Sequence, residues 1–469
     1  MAKTQIKIDY KNVTSAVIGR KHGITPRQLK SLEKKTKPLI AHINRQRRAG
    51  LTPYRDLPYN RRISRSVNAI VKSLKNNCDY LVVLGIGGSA LGNIALDTAL
   101  RPFLPNLGDK QTRRPRLFVL DNIDPDQFCS FLDYIKPKLN RTVFNIISKS
   151  GRTSETAAQL MIIREMLINV IGKAGYRKRV VATTDANSGI LRIIADNDKL
   201  KTLEVPDGVG GRFSVLSAVG LFSAAMCDIN ISQLLAGARD MDTRVKKTKF
   251  LENPAAINAA INYHFYTHGK PISVMMPYSY ALNDLSDWYR QLWAESLGKS
   301  RDLADKEVEI GPTPIDALGA TDQHSQVQLY REGPNDKLFT FLQVNNFEQD
   351  ITIGPAPDCA LELSFLAGKK LSILLNNEKR ATEYALLESK RPCLTIMFDR
   401  INAYTVGQFI YLYEVTTSLT GALFNINPYD QPAVELGKEA TFALMGKDGY
   451  ADFAQVIRSK TRIDNTYLV

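Results

Sequence analysis

A run of hydroxyl side chains is the first feature of this sequence that could do chemistry. Residues 148–156 read SKSGRTSET and follow a short apolar run. Five hydroxyls lie within these nine residues, and Lys149 and Arg152 add two positive charges. Hydroxyls, free N–H groups and the positive dipole end at a helix start together suit a phosphate monoester. One Ser or Thr would be enough to cap a helix, so this segment predicts a phosphate-binding loop.

A glycine-rich loop earlier in the chain could bring backbone N–H groups to an anion. Residues 85–89 read GIGGS and lie between an apolar run and a helical pattern. The G-x-G-x-x-A spacing fits the dinucleotide fingerprint, which also requires an acid about 20 residues further on. The acid that ends the next predicted strand is Asp121, 36 residues after Gly85, so a dinucleotide is disfavoured. Gly88 and Ser89 stay candidates for anion binding, and a tight turn without a ligand is the alternative.

A second glycine-rich segment, GVGGRFS, occupies residues 208–214. Arg212 stands between its glycines and the apolar run 216–227, whose length of about a dozen residues predicts a buried helix. A cation in that position could stabilise negative charge that develops in a reaction. A structural ion pair is the alternative for Arg212.

The segment QLWAESLGK, residues 291–299, could supply a general base. Gln291 and Glu295 are four residues apart in a helical pattern, so their side chains share one face. The only two tryptophans, Trp288 and Trp293, flank them. Glu295 could accept a proton from a substrate, and a surface glutamate on an amphipathic helix is the alternative.

Two further segments carry a histidine and a lysine among polar side chains. Residues 319–329 hold His324, one of five histidines in the chain. No second His, Cys or carboxylate follows it at zinc-ligand spacing, so the sequence predicts no metal site. Residues 430–438, DQPAVELGK, hold Gln431 and Lys438, and Lys438 alone would be interpreted as a surface lysine.

Short apolar runs precede several of these segments and alternate with helical patterns. The alternation indicates parallel sheets with helices on both faces, because parallel strands are buried on both sides. The predicted strands are residues 80–84, 117–120, 142–147, 179–183, 203–205, 272–276, 338–344, 351–353 and 394–398. The clearest predicted helices are residues 25–49, 63–75 and 405–423.

The fold class that follows is α/β, with two domains that each hold a mainly parallel sheet flanked by helices in three layers. We place the first domain at residues 66–240 and the second at residues 241–430. A basic, mainly helical extension (residues 1–65) precedes them, and a helical arm (residues 431–469) follows them. A chain of 469 residues has room for two such domains.

The net charge of +15 is concentrated at the start of the chain. Residues 1–65 hold 17 Lys or Arg and only three acids, Asp9, Glu33 and Asp56, whereas the rest of the chain is nearly neutral. The favoured interpretation is a solvated amphipathic face that wraps the body. Contact with nucleic acid through residues 1–65 is the alternative, although aromatic side chains do not interleave the basic residues as a single-strand groove requires.

Composition and cysteine usage indicate the class of protein and its location. Hydrophobic residues make up 44% of the chain and charged residues 23%, which is typical of globular proteins. The first residues lack an apolar signal core, and no apolar stretch reaches membrane-spanning length. The five cysteines are scattered and none forms a C-x-x-C pair. We therefore expect a cytoplasmic protein without membrane contact.

Six of these segments together resemble the phosphoglucose isomerase (glucose-6-phosphate isomerase) family. GIGGSALG, SKSGRTSET, VGGRFSVLSAVGL, QLWAESLGK, QHSQVQL and DQPAVELGK occur in the family's order between residues 85 and 438. The resemblance implies two sugar-isomerase (SIS) domains and a homodimer with shared active sites. It also implies reversible isomerisation of D-glucose 6-phosphate and D-fructose 6-phosphate in glycolysis and gluconeogenesis, with no cofactor.

The resemblance also implies a role for each candidate residue. Glu295 would move a proton between carbons 1 and 2, and Arg212 would stabilise the cis-enediolate. His324 of the neighbouring subunit would act at the ring oxygen during ring opening, and Lys438 would assist that step and hold a substrate hydroxyl. The matches to the phosphate loop are Ser148, Lys149, Ser150, Thr153 and Thr156. The matches to other substrate-contacting positions are Gly88, Ser89, Gln291 and Gln431.

A sugar-phosphate sensor is the competing hypothesis for the same loops. Paired SIS domains could bind a sugar phosphate without catalysing a reaction. A sensor, however, would have no need to keep all four candidate catalytic residues, which are Glu295, Arg212, His324 and Lys438. One departure from the family stands inside the phosphate loop, where Arg152 replaces a residue that is usually small or neutral.

Overall fold

Two five-stranded sheets form the frame of the structure, a computed structural model that describes residues 4–107 and 114–469. The chain divides into two compact units, Met1–Pro428 and Tyr429–Val469. The division into four segments made from the sequence stays a prediction. The strands are β1 (Lys7–Asp9), β2 (Tyr80–Leu84), β3 (Arg116–Leu120), β4 (Thr142–Ile147), β5 (Val180–Thr184), β6 (Lys201–Glu204), β7 (Ile272–Pro277), β8 (Lys299–Arg301), β9 (Glu307–Ile310), β10 (Thr313–Asp316), β11 (Lys337–Val344) and β12 (Cys393–Phe398).

Helices occupy most of the chain between these strands and all of the regular structure in the smaller unit. The helices are α1 (Ser15–Ile18), α2 (Pro26–Arg48), α3 (Arg61–Leu74), α4 (Leu91–Leu100), α5 (Pro125–Ile135), α6 (Ser154–Arg179), α7 (Ile190–Asn197), α8 (Ala218–Met226), α9 (Ile231–Val245), α10 (Pro254–Thr267), α11 (Asn283–Leu297), α12 (Val327–Glu332), α13 (Leu371–Glu388), α14 (Ala403–Phe424), α15 (Ala433–Leu444) and α16 (Ala451–Lys460). The predicted α/β class with parallel sheets flanked by helices is confirmed.

The first sheet has the strand order β3-β2-β4-β5-β6, and all of its pairs are parallel. Every residue of β4 is buried, and so is every residue of β2 except Tyr80, as expected for strands covered on both faces. The five strands predicted for this sheet are confirmed to within two residues. Because β2 and β4 are neighbours, the loops that follow them, residues 85–89 and 148–153, leave the same edge of the sheet.

The second sheet has the strand order β1-β12-β11-β7-β10. The pairs among β12, β11, β7 and β10 are parallel, and the predicted strands at β7, β11 and β12 are confirmed. The helix that carries Glu295, α11, packs on β7 and β10. This packing fixes α11 in position beside the edge of the sheet.

The strand β1 comes from the basic N-terminal segment and is not apparent from the sequence. It pairs antiparallel with β12, with Lys7 opposite Met397 and Asp9 opposite Thr395. The buried Gln408 side chain accepts from the backbone N–H of Ile6 and donates to the carbonyl of Thr4, which holds the start of this strand. Three residues with one apolar side chain carry too little pattern to predict a strand.

The strand predicted at residues 351–353 is wrong. Only an isolated bridge between Thr352 and Lys370 forms there. Ile353 donates its N–H to Lys369, and Leu371 donates to Ile351, so the segment closes a local loop instead of joining a sheet. Its apolar residues do not mark a buried strand, because the Ile351 side chain is 66% exposed.

The helix α2 begins where the sequence predicts. Thr25 caps it with a capping box shared with Gln28, and Pro26 occupies its first turn. Its buried residues are Leu32, Thr36, Ile40 and Ile43. Its exposed basic residues are Arg27, Lys30, Lys34, Lys35, Lys37, Arg45 and Arg48. The basic charge of this segment therefore lies mostly on a solvated face.

Asp242 holds the N-terminal segment against the body. Its side chain is fully buried on α9 and bears an ionised carboxylate surrounded by donors. Its partners are Arg47 (2.7 Å), Arg55 (3.3 Å), Lys246 (2.8 Å), Tyr59 (2.7 Å) and Tyr411 (2.7 Å). Burial raises the pKa of Asp242, but the hydrogen bonds from Arg47 and Lys246 outweigh it and hold the pKa well below its usual value.

Glu414 is a buried acid of the opposite kind. It lies in the middle of α14, is fully buried, and neither carboxylate oxygen has a partner within the part of the chain that the structure describes. Burial raises the pKa of Glu414 well above its ordinary value of 4.5, so burial favours the protonated form of this side chain in the folded protein. Within residues 4–107 and 114–469, no helix has the length and apolar character needed to cross a bilayer.

We expect Glu414→Gln to stabilise the protein increasingly as pH rises above 4.5. The unfolded chain releases this proton near pH 4.5 whereas the folded chain keeps it, so each further pH unit, up to the folded-state pKa, costs the wild type about 1.4 kcal/mol. Urea unfolding at pH 5, 6, 7 and 8 (values chosen at about one-unit steps) measures the difference. Glu388→Gln, on the exposed end of α13, is the matched control. A wild-type-to-variant difference that does not change with pH contradicts the assignment.

Candidate active site

Arg212 and Glu295 form the centre of the candidate active site. Arg212 Nη1 lies 3.0 Å from Glu295 Oε1. The arginine side chain is 1% exposed, whereas the glutamate side chain is 25% exposed. A carboxylate that a ligand can reach therefore lies beside a guanidinium that is almost completely buried.

Two further hydrogen bonds fix the guanidinium of Arg212. Its Nε donates to Ser296 Oγ at 2.7 Å, and its Nη2 donates to the carbonyl of Pro428 at 2.8 Å. Because the planar fork is held at these positions, Nη1 is aimed at Glu295. The sequence leaves two interpretations of Arg212, a structural ion pair and a cation that stabilises charge in a reaction. The structure is compatible with both, because Arg212 forms an ion pair whose partner is the candidate base Glu295.

Gln291 supports the second oxygen of the same carboxylate. Its Nε2 donates to Glu295 Oε2 at 3.0 Å, as the four-residue spacing on α11 predicts. Lys299 Nζ donates to the backbone carbonyl of Glu295 at 3.0 Å. Gln291 Oε1 is buried and accepts no hydrogen bond among the described residues. A buried acceptor without a partner beside the carboxylate is suited to a ligand hydroxyl. Trp288 and Trp293 are buried in the core and do not line the exposed side of Glu295.

The glycine-rich loops meet backbone to backbone next to this pair. A Cβ atom on Gly88 would lie 2.2 Å from the carbonyl carbon of Gly211 and 2.6 Å from the nitrogen of Arg212. Gly87 has a φ of +57°, and a Cβ there would lie 3.0 Å from Gln291 Nε2. The turn Gly87–Ser89 therefore lies directly against the turn Gly211–Phe213 that carries Arg212. Gly88 is required for this packing whether or not it also contacts an anion.

The loop between β4 and α6 has the features of an anion site. Ser148 Oγ accepts from the backbone N–H of Gly151 at 3.0 Å and lies 3.4 Å from Thr153 Oγ1. Thr153 precedes α6, and its side chain makes no capping hydrogen bond. Among the described residues, the N–H groups in the first turn of α6 therefore have no side-chain cap, and the hydroxyls of Ser148 and Thr153 lie close together in the same loop.

The other predicted members of this loop differ in burial. Ser150 is exposed and its Oγ accepts from the N–H of Arg152 at 3.2 Å, whereas Thr156, in the first turn of α6, is 2% exposed. Lys149 Nζ pairs with Asp207 at 3.2 Å. That pair is solvent-exposed, so it is weak and can give way to a bound anion.

His324 lies at the end of the turn Thr321–His324, and its side chain is exposed. Asp322 fixes this turn by accepting from the N–H of Leu318 at 2.6 Å, and the Tyr278 hydroxyl donates to Gln323 at 2.6 Å. The backbone is therefore held firmly while the imidazole faces outward. The role of His324 stays a prediction.

Lys438 and Gln431 belong to the smaller unit, Tyr429–Val469. Lys438 lies on α15 and pairs with Glu435 at 2.7 Å, and both side chains are more than half exposed. An exposed pair of this kind contributes little to stability, which leaves the lysine available to a ligand. The roles of Lys438 and Gln431 stay predictions.

Three residues with structural roles in the site are not apparent from the sequence. Ser296 binds Arg212, and its position next to Glu295 in the motif is the only signal for it. Thr184, at the end of β5, donates to the carbonyls of Ser148 and Lys149 at 2.8 and 3.1 Å. It could be found only from the strand order, which makes β5 the neighbour of β4. The third is Pro428, which acts through its carbonyl and therefore leaves no side-chain signal.

Comparison with known proteins gives one consistent result. The family model described as phosphoglucose isomerase matches residues 67–448. A glucose-6-phosphate isomerase of Carboxydothermus hydrogenoformans is 41% identical over 455 residues, which cover 96% of this chain and 97% of that protein. A glucose-6-phosphate isomerase of Rubrobacter xylanophilus is 38% identical over 454 residues, with 95% and 99% covered.

Solved structures show the same similarity. The crystal structure of a hypothetical protein from Thermus thermophilus has a TM-score of 0.82 at 31% identity and covers 94% of this chain and 100% of its own. A glucose-6-phosphate isomerase from Chlamydia trachomatis has a TM-score of 0.79 at 21% identity, with 97% and 92% covered, which shows a shared fold.

We expect Gly88→Ala to destabilise the protein by about 1–3 kcal/mol, because the new methyl group meets the backbone of Gly211 instead of a flexible side chain. Chemical denaturation measures this loss. Gly354→Ala is the matched control, since a Cβ at Gly354 meets nothing within 4 Å. Equal stability of the two variants would contradict the close approach of the loops.

Proposed function

The chain belongs to the phosphoglucose isomerase family, and we propose that it interconverts D-glucose 6-phosphate and D-fructose 6-phosphate with Glu295 as the base. As a member of this family it is an aldose–ketose isomerase. The observation that carries the role of Glu295 is its contact of 3.0 Å with the buried Arg212. A reachable carboxylate beside a fixed cation is the arrangement that proton transfer through an enediolate requires.

In the proposed proton transfer, Glu295 removes the proton from carbon 2 of the open-chain aldose. The electron pair of that C–H bond forms the double bond between carbons 1 and 2, and the carbonyl electrons move to oxygen 1. The proton on oxygen 2 then passes to oxygen 1, and Glu295 returns its proton to carbon 1, which leaves a carbonyl at carbon 2. Every atom stays within the sugar or returns to it, so we propose that no redox cofactor takes part.

Arg212 is proposed to stabilise the negative charge of the cis-enediolate. Its guanidinium is already held by Ser296 and Pro428, so it needs no reorganisation when the charge develops. Gln291 Oε1 accepts no hydrogen bond from residues 4–107 and 114–469, which supports its contact with a substrate hydroxyl. Gly88, Ser89 and Gln431 are proposed as further substrate contacts.

The substrate phosphate is proposed to bind the loop between β4 and α6. The uncapped N-terminus of α6 supports this assignment, together with the neighbouring hydroxyls. The proposed phosphate contacts are Ser148, Lys149, Ser150, Thr153 and Thr156.

Ring opening is proposed to use His324 and Lys438. The cyclic sugar must gain a proton at its ring oxygen and lose one from the hydroxyl of carbon 1. An imidazole and an ammonium group are suited to exchanging these protons. We propose that His324 reaches the site of the neighbouring subunit, which its exposed position permits.

A homodimer is proposed on the same grounds. Residues 351–373 expose six large apolar side chains, more than a solvated loop needs. They are Ile351, Leu361, Leu363, Phe365, Leu371 and Ile373. We propose that this segment is part of the dimer interface.

Glycolysis and gluconeogenesis in the cytoplasm are the proposed setting of the reaction. The five cysteines are free thiols, as expected in a reducing compartment.

We expect Glu295→Gln to lower kcat by about 10²–10⁴-fold while sugar phosphate still binds, because the base is lost and the phosphate loop is intact. Fructose 6-phosphate conversion, coupled to a glucose-6-phosphate dehydrogenase, measures the rate. In ²H₂O the wild type should place solvent deuterium on the sugar, and the variant should lose this incorporation in proportion. Glu388→Gln is the matched control. Unchanged exchange in Glu295→Gln would remove Glu295 from the mechanism.

Mixing two inactive variants tests the shared active site. Glu295→Gln and His324→Gln subunits are unfolded together and refolded so that they assort at random. If His324 acts across a two-fold interface, half of the dimers carry one intact site, and activity returns to about a quarter of the wild-type value. If His324 acts within its own chain, no site is intact and activity does not return.

A further inference from the structure

A polar cavity lies between the N-terminal segment and α10, and the proposed function does not use it. It measures about 240 Å³ and shares no lining residue with the candidate active site. Its walls come from the loop after α1, the start of α2, the end of α10, and the residues that precede β7 and β11. The lining residues are Arg20, Lys21, His22, Gly23, Gln28, His264, Phe265, His268, Lys270 and Asn335.

As far as the structure describes the chain, the lining contains cations and imidazoles but no carboxylate. Arg20 and Lys21 are exposed at its rim, and Lys270 is buried. Burial, and then the charges of Lys270, Lys21 and Arg391, lower the pKa of His22, which shows that positive charge accumulates here. The nearby acid Asp336 pairs with Lys337 and does not line the cavity.

The cavity is built from fixed groups and not from mobile surface side chains alone. Lys270 Nζ donates to the carbonyl of Asn335 at 2.7 Å, and the Asn335 amide donates to the carbonyl of Lys390 at 3.1 Å. On the opposite wall, a Cβ on Gly23 would lie 2.5 Å from the carbonyl carbon of Thr14, so the loop that carries His22 is packed tightly.

His264 is the buried polar side chain of the cavity. It is 6% exposed and stacks on His268 with a centroid distance of 4.0 Å. His268 Nδ1 donates to the carbonyl of His264 at 2.7 Å, which leaves its Nε2 directed away from the helix. Burial and the neighbouring His268 lower the pKa of His264 to about 4, so at neutral pH the ring is uncharged and can donate one hydrogen bond.

We propose that this cavity is a second anion site, which binds a doubly charged phosphate or phosphomonoester apart from the active site. The charges of Arg20, Lys21 and Lys270 attract such a ligand, which can also accept a hydrogen bond from His264. The volume suits a small anion and not a nucleotide, because pockets for larger ligands begin at about 300 Å³. Bound metal is not the ligand, since in the described residues no group of three His, Cys, Asp or Glu is arranged to hold an ion.

The small number of histidines makes the site directly observable. The chain has five, and His22, His264 and His268 line the cavity. Protein labelled with ¹³C at histidine Cε1 is titrated with inorganic phosphate and, separately, with glycerol 3-phosphate, while potassium chloride keeps the ionic strength constant. His22→Gln and His268→Gln identify two of the signals. We expect both signals to shift and saturate, and the stronger of the two anions to indicate whether free phosphate or an ester is preferred.

Arg20→Gln/Lys21→Gln should weaken the binding seen at His268 by about tenfold, because two of the three cations are lost. Lys34→Gln/Lys37→Gln changes the net charge equally on the exposed face of α2 and should leave the affinity unchanged. Three results would overturn the proposal: no saturable shift in the wild type, the same shift from potassium chloride alone, or equal weakening in both charge variants. Failure of the isomerase assay would leave this test unaffected, since its signals come from outside the active site.

Discussion

A guanidinium taken out of water must have its charge and its N–H groups satisfied, and the candidate active site depends on this requirement at Arg212. The side chain is 1% exposed and is satisfied by Glu295, Ser296 and the carbonyl of Pro428. These partners come from α11 and from the segment after α14, while Arg212 follows β6. Leaving such a charge unpaired costs about 3–5 kcal/mol, so the contacts that aim the site are also contacts that the fold requires. Gly88 then allows the two turns to meet, because a side chain there would collide with the backbone of Gly211.

Asp242 and Glu414 are fully buried acids outside the site, and they affect stability in different ways. Asp242 is ionised and surrounded by donors from α2, from the segment between α2 and α3, from α14 and from Lys246, which directly follows α9, so it holds the basic N-terminal segment against the body. Glu414, on the same helix as Tyr411, has no such partners among the described residues, and burial favours its neutral form. The net charge of the N-terminal segment does not by itself show how many of its cations are free to bind a partner. Arg47 and Arg55 form ion pairs with Asp242, whereas most basic residues of α2 face solvent.

The sequence predicts those parts of the molecule that local pattern determines. The buried strands β2 and β4 are continuous apolar runs, the start of α2 is marked by Thr25 and Pro26, and the spacing of Gln291 and Glu295 places both on one helical face. It does not predict β1, whose three residues become a strand only because β12 offers a free edge. It also mistakes the apolar residues at 351–353 for a buried strand, since hydropathy does not distinguish a buried apolar side chain from an exposed one such as Ile351. The contacts of Thr184 and Pro428 depend on tertiary neighbours and on backbone carbonyls, which leave no pattern to find.

The pairing of β1 with β12 joins Lys7 to Met397, close to the two ends of the larger unit. During synthesis, β1 leaves the ribosome long before β12 is made. The two strands therefore cannot pair until almost the whole unit has been synthesised. Contacts of such long sequence separation form late, because the intervening loop must be closed first. Until β1 pairs with it, β12 is the exposed edge strand of the sheet. An unpaired edge strand is the part of a newly made sheet that associates most readily with other chains. Pairing of the short strand β1 thus covers this edge and is among the last steps in forming the larger unit.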